Sequence, residues 1–154
     1  MIGNDIVDLR QAALDSNWKR KGFLEKLFTV EEQFLIASYT ENPELMVWLL
    51  WTMKESAYKI NSSITKLRAF APVKLVCNNL IILEHSATGN VYTEGTSYCT
   101  ATEFNSDYIH TTAAEQLHEL QLARIEISAL YDGYHQKSPQ SVSHHGRYLA
   151  LAYS

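Results

Sequence analysis

The sequence predicts an α+β fold, helices packed on an antiparallel sheet, from three observations. Helical apolar periodicity is gathered before Ile60, and short β-branched or aromatic segments separated by turn residues are gathered after it. The third is size: 154 residues, 46% apolar and 19% charged, suit one domain (1–154) that buries a core without staples.

The elements follow in order. Ile2, Ile6 and Val7 mark a first strand over about 2–7, in which Gly3 signals a close backbone approach or a bulge. Asp5 sits between apolar residues and is either paired or committed to a ligand. Asp8 faces the other side of the strand and reads as the cap of the next helix. Helices are expected over Arg10–Asn17, Val30–Tyr39 and Leu45–Ile60. Thr29 is the N-cap and Glu32 the capping-box partner of the second, and Pro43 opens the third. Phe70–Cys77, Leu80–His85, Asn90–Thr93 and Ser97–Phe104 read as an antiparallel meander with turns at Asn78-Asn79 and Thr88-Gly89-Asn90. Tyr108–Thr112 is a further candidate strand, and Gln116–Leu130 fits a helix or a strand equally. Lys137–Gln140 is a loop before a last strand over Arg147–Tyr153.

The third helix carries the chemistry. At about 100° per residue, Met46, Leu49, Leu50, Met53, Ala57 and Ile60 form one apolar stripe. Glu55 and Lys59 fall nearly opposite, one turn apart, surrounded by Leu45, Trp48, Trp51 and Thr52. A helix apolar on both sides is largely covered, and charges under such cover need partners. The plain structural alternative is a Glu55–Lys59 ion pair on the rim of a core.

Composition excludes several classes. A net charge of −4 argues against general nucleic-acid binding. Cys77 and Cys99 are isolated and read as reduced core cysteines. No secretory pattern opens the chain, and the apolar run Leu45–Met53 is far short of the roughly 20 residues that span a bilayer, so a cytoplasmic protein is expected. The histidines lack zinc-site spacing, Ser56 lacks a nucleophile elbow, and there is no phosphate-binding glycine loop. Charge is uneven: Arg10, Lys19, Arg20, Lys21 and Lys26 outnumber Asp15 and Glu25, whereas residues 103–132 are strongly acidic.

Gly3-Asn4-Asp5 and, fifty positions from Asp to Glu, the run Trp51-Thr52-Met53-Lys54-Glu55-Ser56-Ala57-Tyr58-Lys59 resemble the fingerprint of the 4′-phosphopantetheinyl transferase superfamily. Its Gly-x-Asp strand end is followed by an aromatic-Ser/Thr-x-Lys-Glu-Ala/Ser-x-x-Lys helix. Phe28-Thr29-Val30-Glu31-Glu32 looks like the Phe-Thr-x-x-Glu between them, and Ser141-Val142-Ser143-His144 like its closing Ser-x-Ser-His strand. Motif order and the lack of a second half are those of the short, holo-acyl-carrier-protein-synthase type. The chain departs from that type in having Ile60-Asn61-Ser62-Ser63 where a Gly-rich turn is usual, and in extra length around Asp107–Ser138.

The resemblance implies Mg²⁺-dependent transfer of 4′-phosphopantetheine from coenzyme A to a serine of an apo acyl carrier protein, releasing 3′,5′-ADP. Asp5 and Glu55 would be the metal ligands, since a hard cation on pyrophosphate takes carboxylate oxygens and keeps several waters. Glu55 and Lys59 would be catalytic, and Lys54, Ser143 and His144 would bind coenzyme A. The base for the serine is Glu55 or a water that it aligns. Arg10, Lys19, Arg20 and Lys21 would meet the acidic carrier protein, whose pathway the motifs do not mark, whether lipid or secondary-metabolite biosynthesis. In a single short module the last strand and the first motifs lie on different faces, so a homotrimer is expected, with Ser143-His144 supplied by a neighbour. Two other readings compete: a non-catalytic relative that binds coenzyme A or a carrier protein, and an unrelated α+β domain in which Glu55 and Lys59 only pair.

Overall fold

A computed structural model describes residues 1–129 and 133–154. Strand β1 (Ile2–Asp8) leads into α1 (Leu9–Asp15), a short α2 (Phe23–Leu27), α3 (Val30–Ser38) and the long α4 (Pro43–Thr65). The meander follows as β2 (Val76–Ile82), β3 (Ser86–Thr93), β4 (Thr96–Phe104) and β5 (Tyr108–Ala114). Then come α5 (Leu117–Leu122), β6 (Arg124–Ser128), β7 (Ser141–His145) and β8 (Tyr148–Tyr153). The strands form a five-stranded sheet in the order β1-β5-β4-β3-β2 and a three-stranded sheet in the order β6-β8-β7, with every pairing antiparallel. The α+β expectation holds. No described helix is long and apolar enough to cross a membrane.

Helix α4 is the spine. Asn42 caps it by accepting from Leu45 N, Pro43 supplies a preset φ, and Lys66 in the left-handed region ends it. Its stripe of Leu49, Leu50, Met53, Ala57 and Ile60 is fully buried against Val91, Tyr98 and Ile109 of the sheet. Each large side chain buried this way contributes about 1.5–3 kcal/mol before entropy is counted. A polar seam runs through the same contact. Thr111 Oγ1 lies 2.7 Å from Thr52 Oγ1 and 2.8 Å from Thr102 Oγ1, and Ser56 Oγ donates to Thr111 O at 3.0 Å.

Gly3 is a close approach. A Cβ there would lie 2.2 Å from Ser56 O, so any side chain would push β1 off α4. Thr29 and Glu32 form the expected capping box, and Asp8 caps α1 by accepting from Arg10 N and Gln11 N.

Several element expectations are corrected. Asn78-Asn79 is a bulge inside β2, with Asn79 at φ +51°, rather than a turn. Thr88-Gly89-Asn90 lies inside β3, where a Cβ on Gly89 would meet Met53 Cε at 2.9 Å. The turn-forming residues at both places serve strand irregularity and close packing. Phe70–Cys77 is not one strand, because Pro72–Lys74 forms a 3₁₀ turn before β2. Within Gln116–Leu130 the chain uses both options, α5 then β6; Leu130 lies outside the described residues. Helix α4 also runs on through Asn61-Ser62-Ser63.

Candidate active site

A cleft of about 530 Å³ opens between α4, β1, β7 and the α1–α2 segment. Asp5, Glu55, Lys59, Ser143 and His144 form its polar side, and Phe23, Leu27, Trp48 and Trp51 its apolar wall. The first and last motifs of the chain therefore meet in one place.

Asp5 reaches the cleft because β1 is pinned on α4 at Gly3, two residues earlier. Its side chain is nearly buried. Asp5 Oδ1 accepts from Ser143 Oγ at 2.8 Å and from Lys59 Nζ at 3.4 Å. Burial pushes the Asp5 carboxyl above its ordinary range, with Lys59 and then Ser143 holding it back. Glu55 is pushed up to about 7, first by burial and then by the negative Asp5, with Lys59 opposing. Two carboxyls thus share a half-dry cleft with one ammonium.

Lys59 corrects the ion-pair alternative. Its ion pair is with Asp5, across elements, and not with Glu55. Lys59 Nζ also donates to Asn4 O at 2.6 Å and to Val142 O at 3.2 Å, so one side chain ties α4 to β1 and β7. Strand β1 comes alongside and offers better-placed acceptors than the next turn of the helix.

Lys54 is corrected more sharply. It is fully buried outside the cleft, donating to Glu32 Oε2 at 2.6 Å, Pro72 O at 2.8 Å and Leu27 O at 3.0 Å. One residue from Glu55 means about 100° around the helix, which turns Lys54 toward α3. With no exposed surface and no place in the cleft lining, it is sealed away from any coenzyme A bound there. Glu32 completes this knot by accepting from Thr29 N and Cys77 N at 2.9 and 2.8 Å.

At the other end, Ser143 is buried while His144 is exposed on the cleft side of β7. Both belong to the same chain as Asp5 and Glu55. The expectation that a neighbouring subunit must supply Ser143-His144 is therefore corrected: the hairpin of β7 and β8 folds back onto β1. The turn of that hairpin is latched by Arg147, which grips Asp8 through Nε at 2.9 Å, Nη2 at 3.0 Å and its backbone N at 2.8 Å. The Arg147 guanidinium holds the Asp8 carboxyl well below the usual range. Gly146 is required here, since its φ is +52° and a Cβ would lie 2.5 Å from Asp8 Oδ2.

Arg10, Lys19, Arg20 and Lys21 are exposed. The last three sit between Ser16 and Phe23, both of which line the cleft. Residue-by-residue reading missed the apolar wall, the Val142 carbonyl and Arg147. Only the spacing of Trp48 and Trp51 around Glu55 hinted at the first. Trp48 Nε1 is buried in that wall with no hydrogen-bond partner among the described residues.

No group of three or more His, Cys, Asp and Glu among the described residues is arranged to hold a metal ion. Asp5 and Glu55 together are a two-carboxylate oxygen set, both raised by burial and Glu55 further raised by the Asp5 charge. That is the donor chemistry of a cation that retains several waters.

No curated protein and no solved structure matches the chain. Residues 1–123 match the family model described as the 4′-phosphopantetheinyl transferase superfamily. That stretch holds Gly3-Asn4-Asp5, Phe28–Glu32 and the Trp51–Lys59 motif, and it stops before β6, so the Ser141–His145 strand lies beyond it. With well over half its length matched, and with the matched acids converging in one cleft, this chain belongs to the 4′-phosphopantetheinyl transferase superfamily.

Proposed function

We propose that the chain transfers 4′-phosphopantetheine from coenzyme A to a serine of an apo acyl carrier protein, with Mg²⁺ held by Asp5 and Glu55. The observation that carries this reading is the convergence of these two acids with Lys59 in a single cleft. The serine oxygen forms a bond to the β-phosphorus, the bond from that phosphorus to the bridging oxygen breaks, 3′,5′-ADP leaves with that oxygen, and the serine proton passes to Glu55 or to a water that it aligns. When bound, Mg²⁺ supplies charge neutralisation at the pyrophosphate.

The chain's own residues do the rest. Asp5 and Glu55, whose carboxyls burial raises, would hold and orient the cation, whose positive charge would favour their ionised forms. Lys59 places an ammonium beside the carboxylates, where developing phosphoryl charge is stabilised by a group already held in position. Phe23, Leu27, Trp48 and Trp51 exclude water from the side on which the pantetheine arm lies. The amide carbonyls of that arm are acceptors of the kind the Trp48 indole lacks. His144, on the rim, contacts a coenzyme A phosphate, and Arg10, Lys19, Arg20 and Lys21 steer an acidic carrier to the mouth.

The test is coenzyme A plus an apo acyl carrier protein, with Mg²⁺ or with EDTA, followed by intact mass of the carrier. A metal-dependent gain of the phosphopantetheine mass is expected. Coenzyme A or carrier binding without any transfer would instead make the chain a non-catalytic relative.

A further inference from the structure

The free edge of β1 is closed in an unusual way. Its odd-numbered residues face β5 in the ladder, leaving the N–H groups of Ile2, Asn4, Ile6 and Asp8 on the other edge. Each finds a side chain of the β7 segment instead of a backbone carbonyl. Ile2 N donates to Gln140 Oε1 at 2.7 Å, Asn4 N to Ser141 Oγ at 2.9 Å, Ile6 N to Ser143 Oγ at 3.1 Å and Asp8 N to His145 Nδ1 at 3.0 Å. Period-two alternation puts 141, 143 and 145 on one face of β7. The Ser-x-Ser-x-His spacing is thereby explained as an edge cap of β1.

Ser141 and Ser143 use their donors differently. Ser141 Oγ donates to Asn4 Oδ1 at 2.9 Å, inside the core. Ser143 Oγ donates to Asp5 Oδ1 at 2.8 Å, at the cleft. With its one proton on Asp5 and an acceptor site on Ile6 N, Ser143 has no donor to offer a phosphate.

We propose that Ser143 is a positioning residue for the proposed cation ligand Asp5, rather than a coenzyme A contact: its hydroxyl locks the Asp5 carboxylate to the edge of β1. This rests on the reading of Asp5 as a cation ligand. Hydrogen-bond partners of metal ligands commonly matter about 10–100-fold in metal affinity.

Ser141→Ala is the matched control, because it removes the same type of edge bond without touching Asp5. Mn²⁺, a stand-in for Mg²⁺, is titrated into wild type, Asp5→Asn, Ser141→Ala and Ser143→Ala and followed by electron paramagnetic resonance, with no substrate present. Ser143→Ala should weaken Mn²⁺ about tenfold or more, Ser141→Ala by less than about twofold, and Ser143→Thr should restore binding by returning the hydroxyl. In turnover, Ser143→Ala should lower kcat while KM for coenzyme A stays within about twofold. If Ser143→Ala melts below the assay temperature, the near-isosteric Ser143→Cys, a weak donor, takes its place with the same expectation. Wild-type Mn²⁺ affinity in Ser143→Ala, or in Ser143→Cys where it stands in, or a raised KM for coenzyme A at unchanged kcat in that variant, would overturn the positioning role and leave Asp5 as a ligand. Loss of Mn²⁺ binding by neither Asp5→Asn nor Ser143→Ala would overturn the ligand reading and this inference together.

Discussion

Helix α4 carries two lysines five positions apart, and their surroundings could hardly differ more. Lys54 and Glu32 make a sealed pair, 0% and 1% exposed, with one charge of each sign. Lys59 is about a third exposed, ion-paired with Asp5, and is the one ammonium among two carboxyls, Asp5 and Glu55, that line the same cleft. A sealed, charge-matched cluster joins elements: Glu32 and Lys54 bring together α3, α4, the Pro72 turn and β2. The open cluster holds one acid more than it has cations of its own, which is the surplus that the proposed metal would meet. The surplus acid, rather than burial alone, separates the cluster proposed to be functional from the structural one.

The largest effect is expected at the sealed pair. Lys54→Ala leaves Glu32 buried without its counter-charge and should cost about 3–5 kcal/mol of stability, seen as a lowered urea midpoint. Glu32→Leu combined with Lys54→Met should recover much of that loss, since removing both charges leaves neither stranded. If the single and double variants melt alike, the pair is not the strut described here.

Next in size is the open cluster. Asp5→Ala should cost about a hundredfold or more in turnover, near 3 kcal/mol of transition-state stabilisation, while its melting temperature stays close to wild type. A variant that retains near-normal Mg²⁺-dependent turnover would remove Asp5 from the site.

A smaller effect, opposite in sign, is expected for the surplus acid. Glu55 is raised from 4.5 to about 7 in the folded chain, so the fold binds its proton more tightly than the unfolded chain does. That contribution to stability is complete below the unfolded value and disappears as pH rises through about 7. Glu55→Gln should therefore be more stable than wild type at pH 8 in EDTA, by about 1–2 kcal/mol after partial solvent screening. The gap should close toward pH 4, and excess Mg²⁺ should shrink it at pH 8 by stabilising wild type alone. Equal melting of the two proteins at pH 8 in EDTA would show that Glu55 is not strained.

The smallest change concerns the surface. Reversing Lys19 and Arg20 to Glu should raise KM for the carrier about threefold at low salt, and the effect should fade in 0.5 M NaCl. An effect that survives high salt would mean contact packing and not steering.

Wherever one turn or one strand carries the signal, the site was legible in the residues. Thr29 with Glu32, Pro43 in the first turn of the long helix, the apolar stripe of α4 and the tight approach at Gly3 all express local periodicity or missing atoms, and each is found as expected. The motif residues Asp5, Glu55 and Lys59 were also legible, through the spacing of a family fingerprint. Lys54 was misread because a motif places a residue on a helix but not on one of its faces. The turn residues Asn79 and Gly89 were misread because a bulge and a close approach ask for the same backbone freedom as a turn.

Local spacing carries the α+β order of elements and the long helix, and the family fingerprint singles out Asp5, Glu55 and Lys59, which the fold brings to one cleft. Only the tertiary structure decided which cluster is sealed and which is open, and that the Ser143 hydroxyl, 138 positions away, closes on Asp5 within the same chain. The reason is the range of the forces involved. Caps and amphipathic stripes act over three or four residues and are written in spacing. The contact of β7 with β1 depends on where a hairpin docks, through side-chain bonds to a strand edge and the Arg147–Asp8 latch. Those partners are far apart in sequence and become neighbours only when the core beneath them has formed.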